Sequence, residues 1–506
     1  MAKRLFLVAV VATLWGCKGG GLLSDRGRDK QAKATDMSRD AIERGLMDLG
    51  VEGRVLRMDL NSGKGKKERI RVAKVHLTHD QLLLETDGAM PRLYALDRAN
   101  FSYVWVSELR EPSKSPASTD GDVIVILSEP FAHSISKQTG SSTIQFMNGA
   151  LAGERRPFLK LPFSPTGGAG VGNDTFYCVS LGTPDNNKNL ESFSMISGQR
   201  GWGYRALGDI MSTPVVGGDA GDPKLYFVTT TGLVTCMDAT NYGYTPRGER
   251  WQAFAESGVD HGVAVTADTR ERSGAVYFAD REGVVYCLNR ITGDRRWVSA
   301  TSRRPAATPM VFGDFCVVKM ESGLTGFDAV NVIYGLEVES GGDAGQVYWL
   351  RGGQKASLGS GGKADFVVND AMLGRTHLSL QVAGEVLTCA AVGDERTFRI
   401  NDGSTTRRAA LRAGDRIHVG NTILRVRDRG SDALWHDLGY DGVVAAIGDN
   451  LVARKGNALQ LVNRWTGQPG GDMKDLPGAR LIPANTGDAN LFVVGGDAVV
   501  YALIAR

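Results

Sequence analysis

The chain has 506 residues, of which 65 are glycine and 16 are proline, and 23% of the residues are charged. This richness in Gly and Pro favours many turns over many helices, and the length allows more than one domain. The formal charge of +3 is too close to neutral to indicate a nucleic-acid-binding protein.

Residues 1–17 have the pattern of an export signal. Two basic residues at positions 3 and 4 precede an apolar run over residues 5–14, which is too short to span a bilayer. Gly16 and Cys17 follow this run and resemble the bacterial lipobox, which implies acylation of Cys17 and attachment to a membrane through that lipid. Lys18, rather than Asp, follows the cysteine, so nothing in the resemblance indicates retention in the inner membrane. We therefore expect a cell-envelope protein anchored in the outer membrane and facing the periplasm; the alternative is an ordinary cleaved secretion signal.

Residues 18–50 are predicted to form a tether and a short helix. The segment 18–35 is rich in Gly, Lys, Arg and Asp, which is typical of a solvated linker. Ile42, Leu46 and Leu49 then follow at helical spacing, and Gly50 stands where a C-terminal cap is needed. We expect this helix to dock on the following domain, with binding to a partner protein as the alternative.

The main part of the chain repeats one β-hairpin. In the copy at residues 284–297, an apolar strand leads into Thr-Gly, where Gly can take the positive φ of a tight turn, and Trp297 follows four residues later. At the first copy Phe101 occupies the turn position. Ser-Pro, Thr-Pro or Ile-Pro stands upstream of several copies and is predicted to mark the start of each sheet. The tryptophans of the repeat are Trp105, Trp202, Trp251, Trp297 and Trp435.

The succession "Tyr-Ala-Leu-Asp, Thr-Gly, Trp" resembles the pyrroloquinoline-quinone-type (PQQ-like) propeller repeat, from about Arg69 to the end of the chain. The resemblance implies an all-β fold with about eight blades of four strands each. We expect the propeller to comprise residues 51–331 and 431–506, with a strand near residues 51–60 completing the last blade. The repeat tryptophans are then expected to be structural wedges between blades rather than a ligand cage.

An insertion interrupts one blade between its third and fourth strands. The repeat stops after Ala329 and resumes at Asp432. Segments of residues 332–430 alternate or run apolar between Gly and Asp turns, which predicts a small β-sandwich inserted in a surface hairpin. Its signals resemble a forkhead-associated (FHA) domain, a family that reads phosphothreonine peptides. The segments that carry the resemblance are Leu358-Gly359, Gly374-Arg375-Thr376-His377 and Leu411 to Gly420.

The phosphate-reading residues of the FHA family are missing from the insert. Where the family has an Arg, a Ser and an Asn, this chain has Ser360, Gly374 and the dipeptide at positions 395–396. Arg375 and His377 remain and are expected to support the structure. Because a phosphate needs charge-assisted hydrogen-bond donors, we interpret the insert as a degenerate FHA-like domain and expect no phosphopeptide binding.

The sequence offers no residues for catalysis. Its cysteines are scattered without a Cys-x-x-Cys or an adjacent pair, and its histidines do not follow a metal-ligand spacing. We expect buried free thiols, no catalytic residues, no metal and no cofactor. Asp and Asn residues recur at the strand ends and are expected to cap turns rather than to build one site: Asp97, Asp238, Asn289, Asp328 and Asn463.

Three classes of function remain: a quinoprotein enzyme, a sensor of a small ligand and a binding scaffold. Architecture and export signal together resemble the propeller lipoproteins of the outer-membrane β-barrel assembly machinery (the BamB family), although that resemblance does not include the insert. We therefore predict a non-enzymatic envelope lipoprotein whose partners are other envelope proteins. The alternatives are a PQQ-dependent dehydrogenase and a small-ligand sensor.

Overall fold

The structure is a computed structural model that describes residues 40–62, 69–145, 153–181, 188–218, 222–239, 248–268, 273–301, 303–313, 315–328, 334–350, 354–383, 386–427, 433–485 and 489–505. Cys17 and the whole of the predicted tether therefore lie outside the described residues. Within these ranges, no helix is long and apolar enough to cross a membrane.

Most of the described chain forms eight antiparallel four-stranded sheets. Blades 1 to 4 have the strands Val72–Leu77, Gln81–Thr86, Arg92–Asp97 and Tyr103–Glu108; Ser118–Asp120, Val123–Ser128, Phe131–Ser136 and Leu159–Lys160; Gly170–Gly172, Thr175–Val179, Leu190–Ser194 and Arg200–Tyr204; Val215–Gly217, Lys224–Val228, Leu233–Asp238 and Glu249–Phe254. Blades 5 to 8 have Ala264–Val265, Ala275–Ala279, Val284–Asn289 and Arg295–Ala300; Met310–Phe312, Phe315–Met320, Gly323–Asp328 and Trp435–Leu438; Gly442–Ile447, Asn450–Lys455, Ala458–Asn463 and Lys474–Asp475; Ala479–Leu481, Leu491–Gly495, Val499–Ala505 and Gly53–Asp59.

Each sheet shares an apolar core with the next sheet along the chain. Leu83 of blade 1 packs in one cluster with Ile124 of blade 2, and similar clusters join every consecutive pair up to blades 7 and 8. A further cluster joins Val500 of blade 8 to Leu82 of blade 1. Because no sheet can bury both faces alone, this succession of shared cores holds the sheets in a closed propeller.

The ring closes through the first strand of the described chain. Gly53–Asp59 pairs antiparallel with Val499–Ala505, with Val55 opposite Leu503. This strand completes blade 8, as the sequence predicted, and the hydrogen bonds between the two strands join the beginning of the propeller to its end.

A short helix over residues 40–47 docks on the propeller, as expected from its spacing. Ile42 and Leu46 are fully buried and pack with residues of blades 7 and 8. The absence of a side chain at Gly45 allows a close approach, since a Cβ there would lie 2.5 Å from the Leu476 side chain.

The insert forms two sheets of its own. One contains Val347–Leu350, Tyr334–Ser340, Thr422–Arg427, Arg416–Val419, Phe398–Ile400 and Thr405–Thr406; the other contains Phe366–Val367, Lys355–Gly359, Leu378–Ala383, Val386–Ala391 and Arg408–Leu411. Their facing side chains enclose a separate apolar core, to which no blade residue contributes within the described ranges. The blade resumes directly after the insert, where the Leu434 N–H donates to the Gly326 carbonyl at 2.9 Å.

The proline signature marks the start of only some sheets. Pro116, Pro214 and Pro309 stand one or two residues before the first strand of blades 2, 4 and 6. Pro165 instead lies five residues before Gly170, in an isolated bridge with Ser180, and Pro483 follows the first strand of blade 8. The prediction was therefore wrong for these two blades, because proline is tolerated wherever its missing N–H is not needed, and not only at the start of a strand.

Candidate functional site

The repeat tryptophans lie in the apolar cores between consecutive blades. The indole N–H donates to a backbone carbonyl of the next blade from Trp105 to Lys137 at 2.6 Å, from Trp251 to Arg290 at 3.0 Å and from Trp435 to Arg464 at 2.8 Å. Trp297 stacks on Phe327 of blade 6, with 5.5 Å between ring centroids. In this geometry the indole rings connect consecutive blades.

In blades 2, 5 and 7, the turn glycine of the repeat faces the tryptophan of the preceding blade. Gly293 has φ +77°, and a Cβ on it would lie 2.7 Å from the Trp251 ring. Gly140 and Gly467 repeat this contact with Trp105 and Trp435 at 2.8 Å. Phe101 takes φ +62° in the equivalent turn of blade 1, and its N–H donates to the Asp97 carbonyl at 2.9 Å as Gly293 donates to Asn289.

Three of the strand-end Asp and Asn residues cap turns. Asn289 Oδ1 accepts the N–H groups of Ile291 and Thr292 at 2.9 and 3.3 Å. Asp97 and Asn463 accept N–H groups at the same two following positions. Both carboxylate oxygens of Asp238 accept hydrogen bonds from Arg250 at 2.8 Å, and the turn that Asp238 was expected to cap lies outside the described residues. Those bonds lower the pKa of Asp238, since they favour its charged form.

No group of three or more His, Cys, Asp or Glu in the described part of the chain is placed to hold a metal ion. His76 is buried, with Nε2 3.0 Å from Glu85 and Nδ1 accepting the Ala117 N–H at 3.1 Å. His79 follows the end of the first strand rather than lying in it. The five described cysteines are buried free thiols, as predicted, and burial raises the pKa of Cys287 to about 12.

Two cavities lie where the first strands of the blades begin. These strands approach one another in consecutive blades, which places them around the central channel. The cavities share the wall formed by residues 114–116. In the larger one, of about 360 Å³, the hydroxyl groups of Thr213 and Thr308 accept backbone N–H groups of Gly168 and Gly262 at 2.8 Å. The smaller one, of about 330 Å³, lies among blades 7, 8, 1 and 2.

The structure brings together the three altered positions of the FHA-like insert. The Ser360 N–H donates to the Gly374 carbonyl at 3.0 Å, and the Ser360 hydroxyl donates to the Leu373 carbonyl at 2.8 Å. The Arg396 guanidinium covers Gly374, and a Cβ on Gly374 would clash with it. Arg396 also donates to the carbonyls of Thr376 and Val392, so its hydrogen-bonding groups are directed at its own domain.

The surroundings of this edge are unfavourable for a phosphate. The cavity beside Ser360 is lined by the carboxylates of Asp343 and Asp370. Burial raises the pKa of Asp370, but hydrogen bonds from Met372, Thr422 and Asn421 outweigh it, so the carboxyl stays charged at neutral pH.

The two residues retained from the FHA motif have different surroundings. His377 is buried, and its Nδ1 accepts the Gly374 N–H at 3.2 Å. Arg375 is exposed, and its backbone carbonyl accepts the Gly361 N–H at 3.1 Å. Both residues therefore contact the loop that carries the altered positions.

An apolar surface lies beside the channel on blades 3 and 4. Leu181, Leu207 and Met211 are 51%, 67% and 46% exposed, and Met211 also lines the larger cavity. Asn189 ties their loops together: its Oδ1 accepts the Ala206 N–H at 2.7 Å, its Nδ2 donates to the Gly208 carbonyl at 2.8 Å, and its carbonyl accepts the Ser180 N–H at 3.1 Å. We call Leu181, Leu207 and Met211 the apolar patch. The repeat pattern did not indicate it, because these residues lie in loops between the repeated strands.

Comparisons with known proteins match two segments of the chain. Residues 183–298 match the family model described as "Outer membrane protein assembly factor BamB". Residues 337–430 match the model described as "Inner membrane component of T3SS, cytoplasmic domain". No curated protein matches the chain. The propeller is therefore of the BamB-like PQQ-repeat type and carries an FHA-like insert, as the motifs predicted.

Similar solved structures include BamB from Moraxella catarrhalis, which is 14% identical, with 78% of this chain and 97% of that chain covered and a TM-score of 0.35. The FHA domain of the CT664 protein from Chlamydia trachomatis is 20% identical over 19% of this chain and 97% of that chain, with a TM-score of 0.18. The computationally designed Ika8 protein is 7% identical over 90% of this chain and 98% of that chain, with a TM-score of 0.45.

Proposed function

We propose that this protein is a non-enzymatic scaffold of the cell envelope that binds other envelope proteins during outer-membrane protein assembly. The observation that carries the proposal is the apolar patch, because exposed apolar side chains grouped on ordered loops are typical of protein interaction sites. Leu207 and Met211 of this patch also lie within the segment that matches the family model of an outer-membrane assembly factor.

The local geometry supports a scaffold over a quinoprotein enzyme. A quinone site requires oxygen ligands that converge on one bound cation, whereas Asp97, Asn289 and Asn463 each cap the turn of their own blade. The chain also lacks the adjacent cysteines that quinoproteins commonly carry above the ring.

The docking role can be tested by site-specific photocrosslinking in intact cells. A photoreactive residue at position 207 should capture a component of the outer-membrane β-barrel assembly machinery. The same residue at position 291 should not, because Ile291 is similarly exposed, at 60%, but lies in a hairpin turn of blade 5. The paired substitution Leu207→Asp and Met211→Asp should abolish capture and lower the amount of assembled barrel proteins. Equal capture from both positions, or normal barrel assembly in the double variant, would contradict the proposal.

We further propose that acylated Cys17 anchors the protein in the outer membrane. The support is the apolar run that ends in Gly16-Cys17. The intact mass of membrane-extracted protein should correspond to a chain that begins at acylated Cys17, and Cys17→Ser should move the protein to the soluble fraction. An unmodified Cys17 in the purified protein would exclude the anchor without affecting the docking proposal.

A further inference from the structure

The smaller cavity of the channel is lined by cationic side chains from four consecutive blades. Arg454 comes from blade 7, Arg480 from blade 8, Lys74 from blade 1, and Lys114 from the loop that enters blade 2. None of these positions belongs to the hairpin signature of the repeat. The four cationic side chains therefore meet because the ring closes, and the repeated motif does not account for their position.

The two lysines already have partners. Lys74 donates to the Ser113 carbonyl and lies 4.0 Å from the buried carboxylate of Glu85. Lys114 forms an ion pair with Glu129. These contacts fix the lysines at the wall and offset much of their charge.

The two arginines are not compensated in this way. Among the described residues, neither Arg454 nor Arg480 has a carboxylate within ion-pair distance, and the Arg454 Nε is buried without a hydrogen-bond partner. A buried donor without an acceptor is unfavourable in a protein interior, and two guanidinium groups beside one cavity repel each other. An anion between the two guanidinium groups would remove the repulsion.

On the opposite side of the channel mouth, a carboxylate neutralises two arginine side chains. Arg281 and Arg304 both bind the Asp260 carboxylate, at 2.7 and 2.8 Å. Their hydrogen bonds lower the pKa of Asp260 to about 2, so the acid is charged at neutral pH. In the smaller cavity, by contrast, none of the described lining residues carries a carboxylate.

A hydroxyl group adds a second kind of donor to this cavity. Ser115 lines both cavities, and its Oγ is buried with no hydrogen-bond partner. The equivalent hydroxyls of Thr213 and Thr308 each accept a backbone N–H group, whereas the Ser115 hydroxyl makes no hydrogen bond with the described residues.

We propose that the smaller cavity binds a small multivalent oxyanion, a phosphate or carboxylate compound, through the guanidinium groups of Arg454 and Arg480. Planar guanidinium groups match the paired oxygens of both anion types, and Ser115 and the two lysines would complete the donor set. A volume of about 330 Å³ lies at the small end of the range for ligand pockets and fits a metabolite-sized anion better than a folded partner. This site is separate from the apolar patch and does not depend on the scaffold role.

The test is isothermal titration of the purified full-length protein with pyrophosphate and, separately, with citrate, at constant ionic strength. We expect saturable binding of at least one of the two anions, and the stronger one identifies the phosphate or carboxylate source. Arg454→Gln and Arg480→Gln should each weaken that binding at least tenfold, which corresponds to about 1.4 kcal/mol. Arg454→Lys should retain part of the affinity, because it keeps the charge but loses the planar fork.

The matched control is Arg407→Gln in the insert, which removes another exposed arginine, 51% accessible, that pairs only loosely with Asp394. It should leave anion affinity unchanged. Arg480 is exposed, so its substitution should fold normally, as a melting temperature measured without anion would show. Absence of saturable binding by both anions, or equal weakening by Arg407→Gln, would overturn the proposal.

Discussion

At the residue scale, the stability of the ring depends on pairs formed by a tryptophan and a turn glycine of the next blade. The indole ring fills the space where a Cβ would otherwise stand, and its N–H satisfies a backbone carbonyl of the same turn. Blade 2 has no tryptophan in the described residues, and the corresponding Gly198 of blade 3 instead meets Ile144 and Leu159. The contact therefore needs a large apolar group on one blade and a glycine on the next.

Gly293→Ala should destabilise the propeller because it affects both partners of this contact. The positive φ costs an L-residue about 1–2 kcal/mol, and displacement of the Trp251 ring should cost about another 1–3 kcal/mol. The measurement is the free energy of unfolding from denaturant titration. Gly456→Ala is the matched control: Gly456 has φ +58° but has open space around it, so only the backbone term applies. An equal loss in both variants would show that the tryptophan contact contributes nothing.

The propeller should also lose stability in mild acid through His133. Burial lowers the pKa of this histidine to about 4. Its Nε2 accepts the Arg110 N–H at 3.2 Å, so protonation of Nε2 would bring two hydrogen-bond donors face to face. The unfolded chain binds a proton below pH 6.5 and the folded chain does not until about pH 4, so stability decreases as the pH falls through this window.

Unfolding free energies at pH 7 and pH 5 should therefore differ by about 2 kcal/mol from His133 alone. Burial also lowers the pKa of His377, so this histidine adds to the loss of stability between pH 7 and pH 5. His133→Gln keeps a polar side chain that does not titrate, so its loss between the two pH values should be smaller than that of the wild type by this amount. The same pH dependence in both proteins would rule out His133 as the cause.

The positions of some of these residues in the fold could be predicted from the sequence, and those of others could not. The turn glycines and tryptophans recur at a fixed interval, so even Phe101 could be placed in the turn before its positive φ was known. Arg454, Arg480 and Ser115 could not be associated, because they come from different blades and occupy none of the repeated positions. A repeated sequence pattern identifies the residues that recur in every blade. The residues that line one cavity of the channel differ from blade to blade, so the pattern does not identify them.

At the element scale, the insert keeps the FHA-like strands but fills the phosphate-reading edge with its own arginine. Motif comparison located this edge correctly, since Ser360, Gly374 and Arg396 lie together. It did not predict that Arg396 would cover Gly374, because the distance between loops depends on the packing of the two sheets.

Restoring serine at position 374 should therefore destabilise the insert rather than create a phosphothreonine reader. Gly374→Ser places a side chain against the Arg396 guanidinium, which should cost about 1–3 kcal/mol. Adding Arg396→Ala should recover most of this loss, because the two groups then no longer collide. Gly362→Ser is the control, since a Cβ there meets open space.

Peptide titrations against the full-length wild-type protein should show equally weak binding of threonine and phosphothreonine peptides. The carboxylates of Asp343 and Asp370 beside Ser360 repel a phosphate, and no lysine or arginine is among the described residues that line this cavity. A tenfold preference for the phosphorylated peptide would show that the insert has retained the reading function.

At the scale of the whole molecule, the chain contains one closed ring and one added domain with different consequences for stability. The ring shares cores between all neighbouring blades, including blades 8 and 1, so loss of one strand exposes two cores. The insert has its own core and enters and leaves through neighbouring strands of blade 6, where Gly326 stands opposite Trp435. Removing it should therefore leave the ring intact, whereas removing the closing strand should not.

Replacement of residues 332–430 by a short Gly-rich turn should give a folded propeller that unfolds in one cooperative transition. The two strands that the turn must join are already hydrogen-bonded neighbours, since the Leu434 N–H donates to the Gly326 carbonyl, so a hairpin turn can span the gap.

Deletion of residues 40–59 is the contrasting change. It removes the strand paired with Val499–Ala505 and the helix that carries Ile42 and Leu46, and exposes apolar surface on two blades. Calorimetry of both variants should show a near-wild-type transition for the first and a broad, lowered one for the second. If the variant without the insert is aggregated or molten, the insert is part of the propeller fold; if the second variant is as stable as the wild type, the first strand does not close the ring.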